Sequence, residues 1–274
     1  PEAGCFVTRR SLQQTTRTNP PEQVYAQLVY AFELVRADPR VVGINLVGPE
    51  DHPIALRDYT LQMEMLGFLA DQYPDVPVAL HAGELTLGLV PPKHLRFHIR
   101  EAIHIAKAKR IGHGVDISYE DDALALIDDM KKRNVLIEIC LTSNDIILGV
   151  KGAEHPFPDY LQAGVPVTIA SDDEGVARID LSHEYWRAAM TYGLGYRDLK
   201  TLARNSLTYS FLDGDSLWQS TNPFRVIDAC ANDSLGDPAL SAACKDFLNR
   251  SDRARIQWQL EKEFIEFEGL LWLQ

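Results

Sequence analysis

Short continuous apolar runs recur along the chain, each closed by charge or turn residues, and they alternate with stretches whose apolar residues fall three and four apart. The first pattern predicts buried strands and the second amphipathic helices. Cys5-Phe-Val-Thr-Arg-Arg reads as a strand, and Pro20-Pro21 then opens a helix with Val24, Leu28, Phe32 and Val35 on one face. Val41-Val-Gly-Ile-Asn-Leu-Val-Gly48 is the next strand, with Pro49-Glu50-Asp51 as a turn and a helix over about 57–73 that Pro74-Asp75 breaks. Val78 to Leu80 form a third apolar run with His81 at its carboxyl end, followed by Ala82-Gly83-Glu84. A loop with Gly88, Pro91 and Pro92 leads to a helix holding Ile99, Ile103 and Ile105, and Arg110-Ile-Gly-His-Gly114 is a fourth strand end. An amphipathic helix over 121–133 precedes the strand Val135-Leu-Ile-Glu-Ile-Cys140, which opens into Leu141-Thr-Ser-Asn144. A helix over 157–163 and the strand Val165-Pro-Val-Thr-Ile-Ala-Ser171 follow, ending in Asp172-Asp173. From Asp180 onward the pattern reads as helices, over 181–191, 197–211 and from Asp252 to the end.

Six strand–helix alternations with short connections mean a parallel sheet, either doubly wound or closed as a (β/α)8 barrel. The barrel is favoured because His81/Glu84, His113, Ser143/Asn144 and Asp172/Asp173 each follow a strand, as when many strands feed one mouth. No Gly-rich phosphate fingerprint follows any strand, which weighs against a dinucleotide-binding sheet. The expected fold is therefore α/β, a (β/α)8 TIM-type barrel to which this chain supplies about six strands. Residues 1–212 form the barrel portion, as its strands 3 to 8, and 213–274 a helical extension.

The bulk properties narrow the partners. The chain has 274 residues, 46% of them hydrophobic and 24% charged, an ordinary globular composition. A net charge of −12 argues against a nucleic-acid surface while allowing nucleotide-sized ligands. No apolar run approaches the ~20 residues that span a bilayer. Cys5 and Cys140 lie in apolar runs and read as buried thiols. Cys230 and Cys244 lie in a loop-rich region and are spaced to close a short disulfide, which would favour a periplasmic or secreted location; free thiols there would favour the cytoplasm.

The polar clusters carry the chemistry. A neutral imidazole at a strand end binds a metal, and a carboxyl in a dry pocket carries a proton. Gly83 allows a sharp turn that lets His81 and Glu84 face one cavity. His113 sits between Gly112 and Gly114, which would bend the backbone and present only the imidazole. The plainer alternatives are a strand-end histidine bonded to a loop for His81, a structural turn for His113, and a helix cap for Asp172-Asp173. His94, His98, His104 and His183 read as surface or packing residues, and Glu138 as a charge paired inside the barrel or at its rim. Two histidines, two aspartates and a glutamate at three strand ends together make a hydrolytic metal site.

His81-Ala-Gly-Glu84, Arg110-Ile-Gly-His-Gly114, Ser143-Asn144 and Ser171-Asp172-Asp173, in that order and spacing, resemble the motifs of adenosine deaminases. Residues 41–50 and 198–212 are also similar to family segments, so the resemblance covers roughly residues 5 to 212. It implies a Zn2+-dependent barrel enzyme that replaces the 6-amino group of adenosine or deoxyadenosine with oxygen and releases ammonia. By position, it makes His81 and Asp172 zinc ligands, with Asp172 also touching the attacking water. Glu84 becomes the proton donor to the purine ring nitrogen beside the reacting carbon, and His113 the residue that orients and helps deprotonate the water. Asp173 and the backbone at Gly48 become contacts to the purine. Burial should raise the pKa of Glu84.

The family also places a His-x-His pair of zinc ligands on the first barrel strand, and this sequence contains no His-x-His. Six strands would moreover leave two sheet edges where a closed barrel has none. The expectation is that an amino-terminal fragment of the same protein, as a separate polypeptide, completes the barrel. Two alternatives stand beside adenosine: deamination of another 6-aminopurine, such as adenine or an adenine nucleotide, and a metal-free relative that binds a nucleoside or a protein without catalysis.

Overall fold

A computed structural model describes residues 9–271 of the chain, and the expected strand at Cys5 falls largely outside them. In order, the elements are β1 (Ser11–Thr16), α1 (Pro21–Ala37), β2 (Val41–Val47), α2 (Pro53–Gln72), β3 (Ala79–Ala82), α3 (His98–His104), β4 (Arg110–His113), α4 (Ala123–Arg133), β5 (Leu136–Ile139), α5 (Leu141–Leu148), α6 (Phe157–Ala163), β6 (Val167–Ile169), α7 (Glu174–Ala177), α8 (Leu181–Tyr192), α9 (Tyr196–Thr208), β7 (Trp218–Thr221), β8 (Phe224–Val226), α10 (Ala242–Arg250) and α11 (Asp252–Leu271). Residues up to Leu199 form one compact unit and those from Lys200 a second.

In the first unit, β1 pairs with β2, and β3 to β6 pair in sequence order, every pair parallel. A parallel bridge between Ile44 and Val78 joins β2 to β3, with the Ile44 N–H donating to the Pro77 carbonyl at 3.2 Å. The architecture is that of a partial (β/α)8 barrel. Its strands are short and mostly β-branched or leucine-rich. Ile44, Leu46, Leu80, Ile111, Ile137, Ile139, Val167 and Ile169 are buried among them, while Val24, Leu28 and Phe32 of α1 and Tyr59, Met63 and Leu66 of α2 cover the outside. Such strands are covered on both faces, and so the sequence reads as unbroken apolar runs rather than alternation. Because all six run the same way, their carboxyl ends and the loops that follow lie on one side.

The boundaries differ from the sequence reading in instructive places. β1 is Ser-Leu-Gln-Gln-Thr-Thr, too polar for an apolar-run criterion, with Thr15 and the following Arg17 fully buried. Helix α2 begins at Pro53, where the His52 Nδ1 accepts from the Ile54 N–H at 3.2 Å. Leu141–Leu148, into which β5 opens, is a helix that carries Ser143 and Asn144. Glu138 is held by the Arg110 Nε–H at 2.5 Å, from the neighbouring strand. Gly114 has φ +60°, and a Cβ there would lie 2.8 Å from the Tyr160 hydroxyl, which donates to the Gly114 carbonyl at 2.7 Å.

The second unit is not purely helical: β7 and β8 form an antiparallel hairpin. Its core consists of Leu217, Trp218, Leu248, Ala254, Trp258 and the disulfide-bonded Cys230 and Cys244. Arg204 donates to both Glu261 oxygens at 2.7 Å, and Gln257 Oε1 accepts from the Leu217 N–H at 2.7 Å. The disulfide closes a loop with a sequence separation of 14, for which loop-closure entropy contributes about 3 kcal/mol. Replacing both cysteines by serine therefore lowers the stability of this unit by about 3 kcal/mol, measured by denaturant unfolding under non-reducing conditions. Cys140, the free thiol among the described residues, is buried as expected. No described helix is long and apolar enough to cross a membrane.

Candidate active site

The loop after β3 is fixed by buried charge. Glu50, following β2, accepts from the Gly83 N–H at 3.0 Å and the Glu84 N–H at 2.8 Å. Its Oε1 also lies 2.5 Å from His98 Nδ1 and 3.8 Å from an Arg17 guanidinium nitrogen. Burial alone would push the Glu50 carboxyl up, but the His98 hydrogen bond, the Arg17 guanidinium and the Gly83 N–H outweigh it and hold the pKa at about 2. Arg17 itself donates to the carbonyls of Leu46 at 2.8 Å and His81 at 2.7 Å, tying the ends of β2 and β3 together. Gly83 turns the chain with φ +74°, and a Cβ there would overlap the Asp116 carboxyl and the Ile99 side chain. The Val115 N–H donates to the Gly83 carbonyl at 2.8 Å and the Gly114 N–H to the Ala82 carbonyl at 3.1 Å, so the loops after β3 and β4 are held as one.

One side-chain donor atom from each of His81, His113 and Asp172 lies within 4.8 Å of the other two. The donor set suits a metal. Asn45 Oδ1 accepts from the His81 backbone N–H at 3.3 Å and lies 3.1 Å from His81 Nδ1, which must then donate to it. That leaves the Nε2 lone pair of His81 free for a cation, and burial, helped by the Arg17 charge, lowers its pKa. A carboxylate and imidazoles in this grouping are the donors a zinc-type ion takes. Replacing Asn45 by alanine lowers metal affinity by about 10–100-fold, read by competition against a chromogenic chelator.

Glu84 and His113 complete the cluster. His113 Nδ1 is 3.7 Å from Glu84 Oε1, and its Nε2 is 4.0 Å from Asp172 Oδ2. Burial first, and then the nearby Glu50 and Asp172 charges, push the Glu84 carboxyl up to about 8, so it carries a proton at neutral pH. His113 is pushed down to about 3, mainly by burial and by His81, and is neutral. His113 has φ +69° and Asp172 φ +51°, the left-handed region that non-glycine residues avoid. The bend expected of the flanking glycines thus falls on His113 as well as on Gly114. Such outliers persist where surrounding bonds over-determine them. Asp173 is exposed and starts α7, its side chain making no capping bond. Gly48, with φ +98°, closes β2 on the same side of the sheet.

Four of the expected residues, His81, Glu84, His113 and Asp172, thus meet at one place. Other buried polar residues around the cluster are not singled out by the sequence reading. Asn45 interrupts an apolar strand, a signal of the same kind as Glu138. Glu50 reads as a turn residue. His98 reads as surface or packing but is fully buried, its ring stacked on Tyr59 at 3.7 Å. His155, also buried, lies 3.1 Å from Asn144 Oδ1, and Asn144 Nδ2 lies 2.9 Å from His113 Nδ1.

A metal-ligand cluster beside a protonated carboxyl, at the carboxyl ends of parallel barrel strands, defines the class of metal-assisted barrel proteins. Within it, the chain belongs to the adenosine deaminase family, whose model matches residues 2–219. An adenosine deaminase from Enterococcus faecalis is 36% identical over 177 residues, 64% of this chain and 47% of that protein. An adenine deaminase from Rhizobium johnstonii is 30% identical over 198 residues, covering 72% of this chain and 55% of its own length. The apo structure of the N6-methyl-AMP deaminase from Arabidopsis thaliana superposes with a TM-score of 0.59 at 28% identity, over 74% of this chain and 54% of that one. The chain therefore spans about half the length of these relatives.

Proposed function

We propose that this chain carries the proton-transfer half of a zinc-dependent deaminase that hydrolyses adenosine or deoxyadenosine to inosine or deoxyinosine and ammonia. The observation that carries the reading is the Glu84 carboxyl, held protonated up to about pH 8 beside His81, His113 and Asp172. A neutral carboxylic acid in a dry site is a proton donor, and a 6-aminopurine needs one at the ring nitrogen beside its reacting carbon. Zinc, if held by His81 and Asp172, would lower the pKa of a water from about 15.7 to about 7.

The chain's own residues do the rest. Glu84 gives its proton to the ring nitrogen as the water oxygen adds to the adjacent carbon; the proton the water releases passes through Asp172 to the amino group, which leaves as ammonia, and the hydroxyl left on the carbon returns its proton to Glu84. His113 and Asp172 contact and orient the attacking water. Asp173 hydrogen-bonds the imidazole-ring nitrogen of the purine, and the Gly48 backbone meets the opposite edge.

The substrate beyond the purine is the point on which the relatives differ, since their names carry a nucleoside, a free base and a methylated nucleotide. The second reading is therefore a deaminase of adenine or an adenine nucleotide. His81 and Asp172 alone under-fill a zinc ion, so the proposed site takes further ligands besides these two. The Cys230–Cys244 disulfide supports a periplasmic or secreted location.

One preparation tests these readings together, by intact mass, metal content and ammonia release from adenosine, deoxyadenosine, adenine and adenosine monophosphate. About one zinc per active site and chelator-sensitive turnover of the nucleosides are expected. Turnover of adenine or the nucleotide alone replaces the adenosine reading. No turnover of any substrate, with metal loaded, leaves a binding relative in its place.

A further inference from the structure

We propose that His155 and Asn144 are positioning residues that lock His113 in the tautomer carrying its proton on Nε2. The proposal rests on the reading of this site as a deaminase centre only for its catalytic consequence; the tautomer follows from geometry alone.

The Phe157 backbone N–H is the first of α6, one of the donors that a helix start leaves without an intrahelical acceptor, and it donates to His155 Nδ1 at 3.1 Å. That nitrogen therefore bears no proton, and the His155 proton sits on Nε2. His155 Nε2 lies 3.1 Å from the Asn144 side chain, so the amide atom facing it must be the acceptor Oδ1. The Asn144 amide is thereby fixed with its NH2 pointing the other way, 2.9 Å from His113 Nδ1. A proton on His113 Nδ1 would set donor against donor, which excludes both the Nδ1–H tautomer and the doubly protonated ring. His113, Asn144 and His155 are each 1% exposed or less, so no bulk water stands ready to relieve a mismatch.

The same logic gives His81 the opposite form. Asn45 presents an oxygen to His81 Nδ1, so that ring carries its proton on Nδ1 and turns a bare Nε2 to the cluster. Two asparagines, reversed in polarity, thus set two neighbouring histidines, 4.9 Å apart between ring centroids, to different tasks. His81 offers a lone pair to a cation. His113 offers an N–H towards Asp172 and the water, and it is a poor ligand and a poor proton acceptor there. It steers by donating a hydrogen bond, leaving the proton of the water to another group.

Long-range 1H–15N spectra of the zinc-loaded, 15N-histidine-labelled protein test the relay directly, with His113 assigned from its loss in His113→Gln. In the wild type and in His155→Gln, whose amide can place an N–H near the position of His155 Nε2, the His113 Nδ1 is expected to be bare and Nε2 protonated. In Asn144→Asp a carboxylate accepts from Nδ1, and the pattern should reverse. The same variant is expected to lose kcat by on the order of 10²–10⁴-fold with KM little changed, while His155→Gln stays within about 10-fold of wild type. A protonated Nδ1 in the wild type, needing no variant to fold, overturns the proposal, as does an unchanged pattern in Asn144→Asp. The expected spectrum without turnover would instead remove the deaminase reading and leave the relay in place.

Discussion

Replacing Glu84 by glutamine lowers kcat by about 10²–10⁴-fold, the usual contribution of a positioned general acid, while the fold and the metal ligands persist. Glutamine fills the same volume and can still donate a hydrogen bond, but it has no proton to give up as charge builds on the ring. The pH dependence gives the check its sign. In the proposed mechanism Glu84 acts in its protonated form, so wild-type kcat is expected to fall as pH rises through about 8, and that limb to disappear in the variant. Stability moves with the same group. Its folded pKa of about 8 lies above the ordinary 4.5, so its contribution is complete below 4.5 and is lost as pH rises to about 8. Metal-free Glu84→Gln is therefore expected to melt above metal-free wild type at pH 8.5 and not at pH 4. Thermal scans at both values settle it, and equal melting at pH 8.5 would place the Glu84 pKa nearer to an ordinary carboxylate.

Glu50 is expected to be the most damaging single position for stability. Glu50→Ala costs about 3–5 kcal/mol, the range for removing one partner of a buried charged network. The substitution strips acceptors from the Gly83 and Glu84 N–H groups and from His98, and it leaves the Arg17 guanidinium buried without its counter-charge. Denaturant midpoints report this loss at neutral pH. The folded pKa of about 2 lies below the ordinary 4.5, so the stability from this carboxylate is full above pH 4.5 and is lost as pH falls towards 2. Wild-type unfolding in acid should steepen across that window, and Glu50→Gln should flatten it. The Glu84 N–H is one of the released groups, so the surviving fold of Glu50→Ala also loses turnover.

The strand order and four of the clustered residues are legible in the sequence because buried parallel strands are continuous apolar runs and their ends are abrupt. His81, Glu84, His113 and Asp172 each stand just past such a run. What the sequence conceals is polar chemistry with the wrong surface appearance. β1 carries glutamines and threonines where a run of valines is expected, because a two-strand parallel pair with Val41–Val47 and an α1 packed behind it suffices to place it. Arg17 carries no sequence signal and His98 reads as a surface or packing residue; the three-dimensional pairing with Glu50 accounts for the burial of both. Asn45, Asn144 and His155 act through the ring nitrogens of two other residues, a dependence that no spacing rule encodes. The hairpin of the second unit is short, three and four residues per strand, and sits within a tract otherwise read as helical.

The left-handed backbone at His113 and Asp172 sets stability and chemistry against each other. At both positions glycine would relieve the torsion, and at both it would delete a side chain to which the proposed mechanism gives a role. Selection for a tougher protein, in nature or in a library screened by heat, will therefore press on the residues that turnover can least spare. Stabilising changes for this chain should be sought far from the strand ends, in the outer faces of its helices and in its second unit.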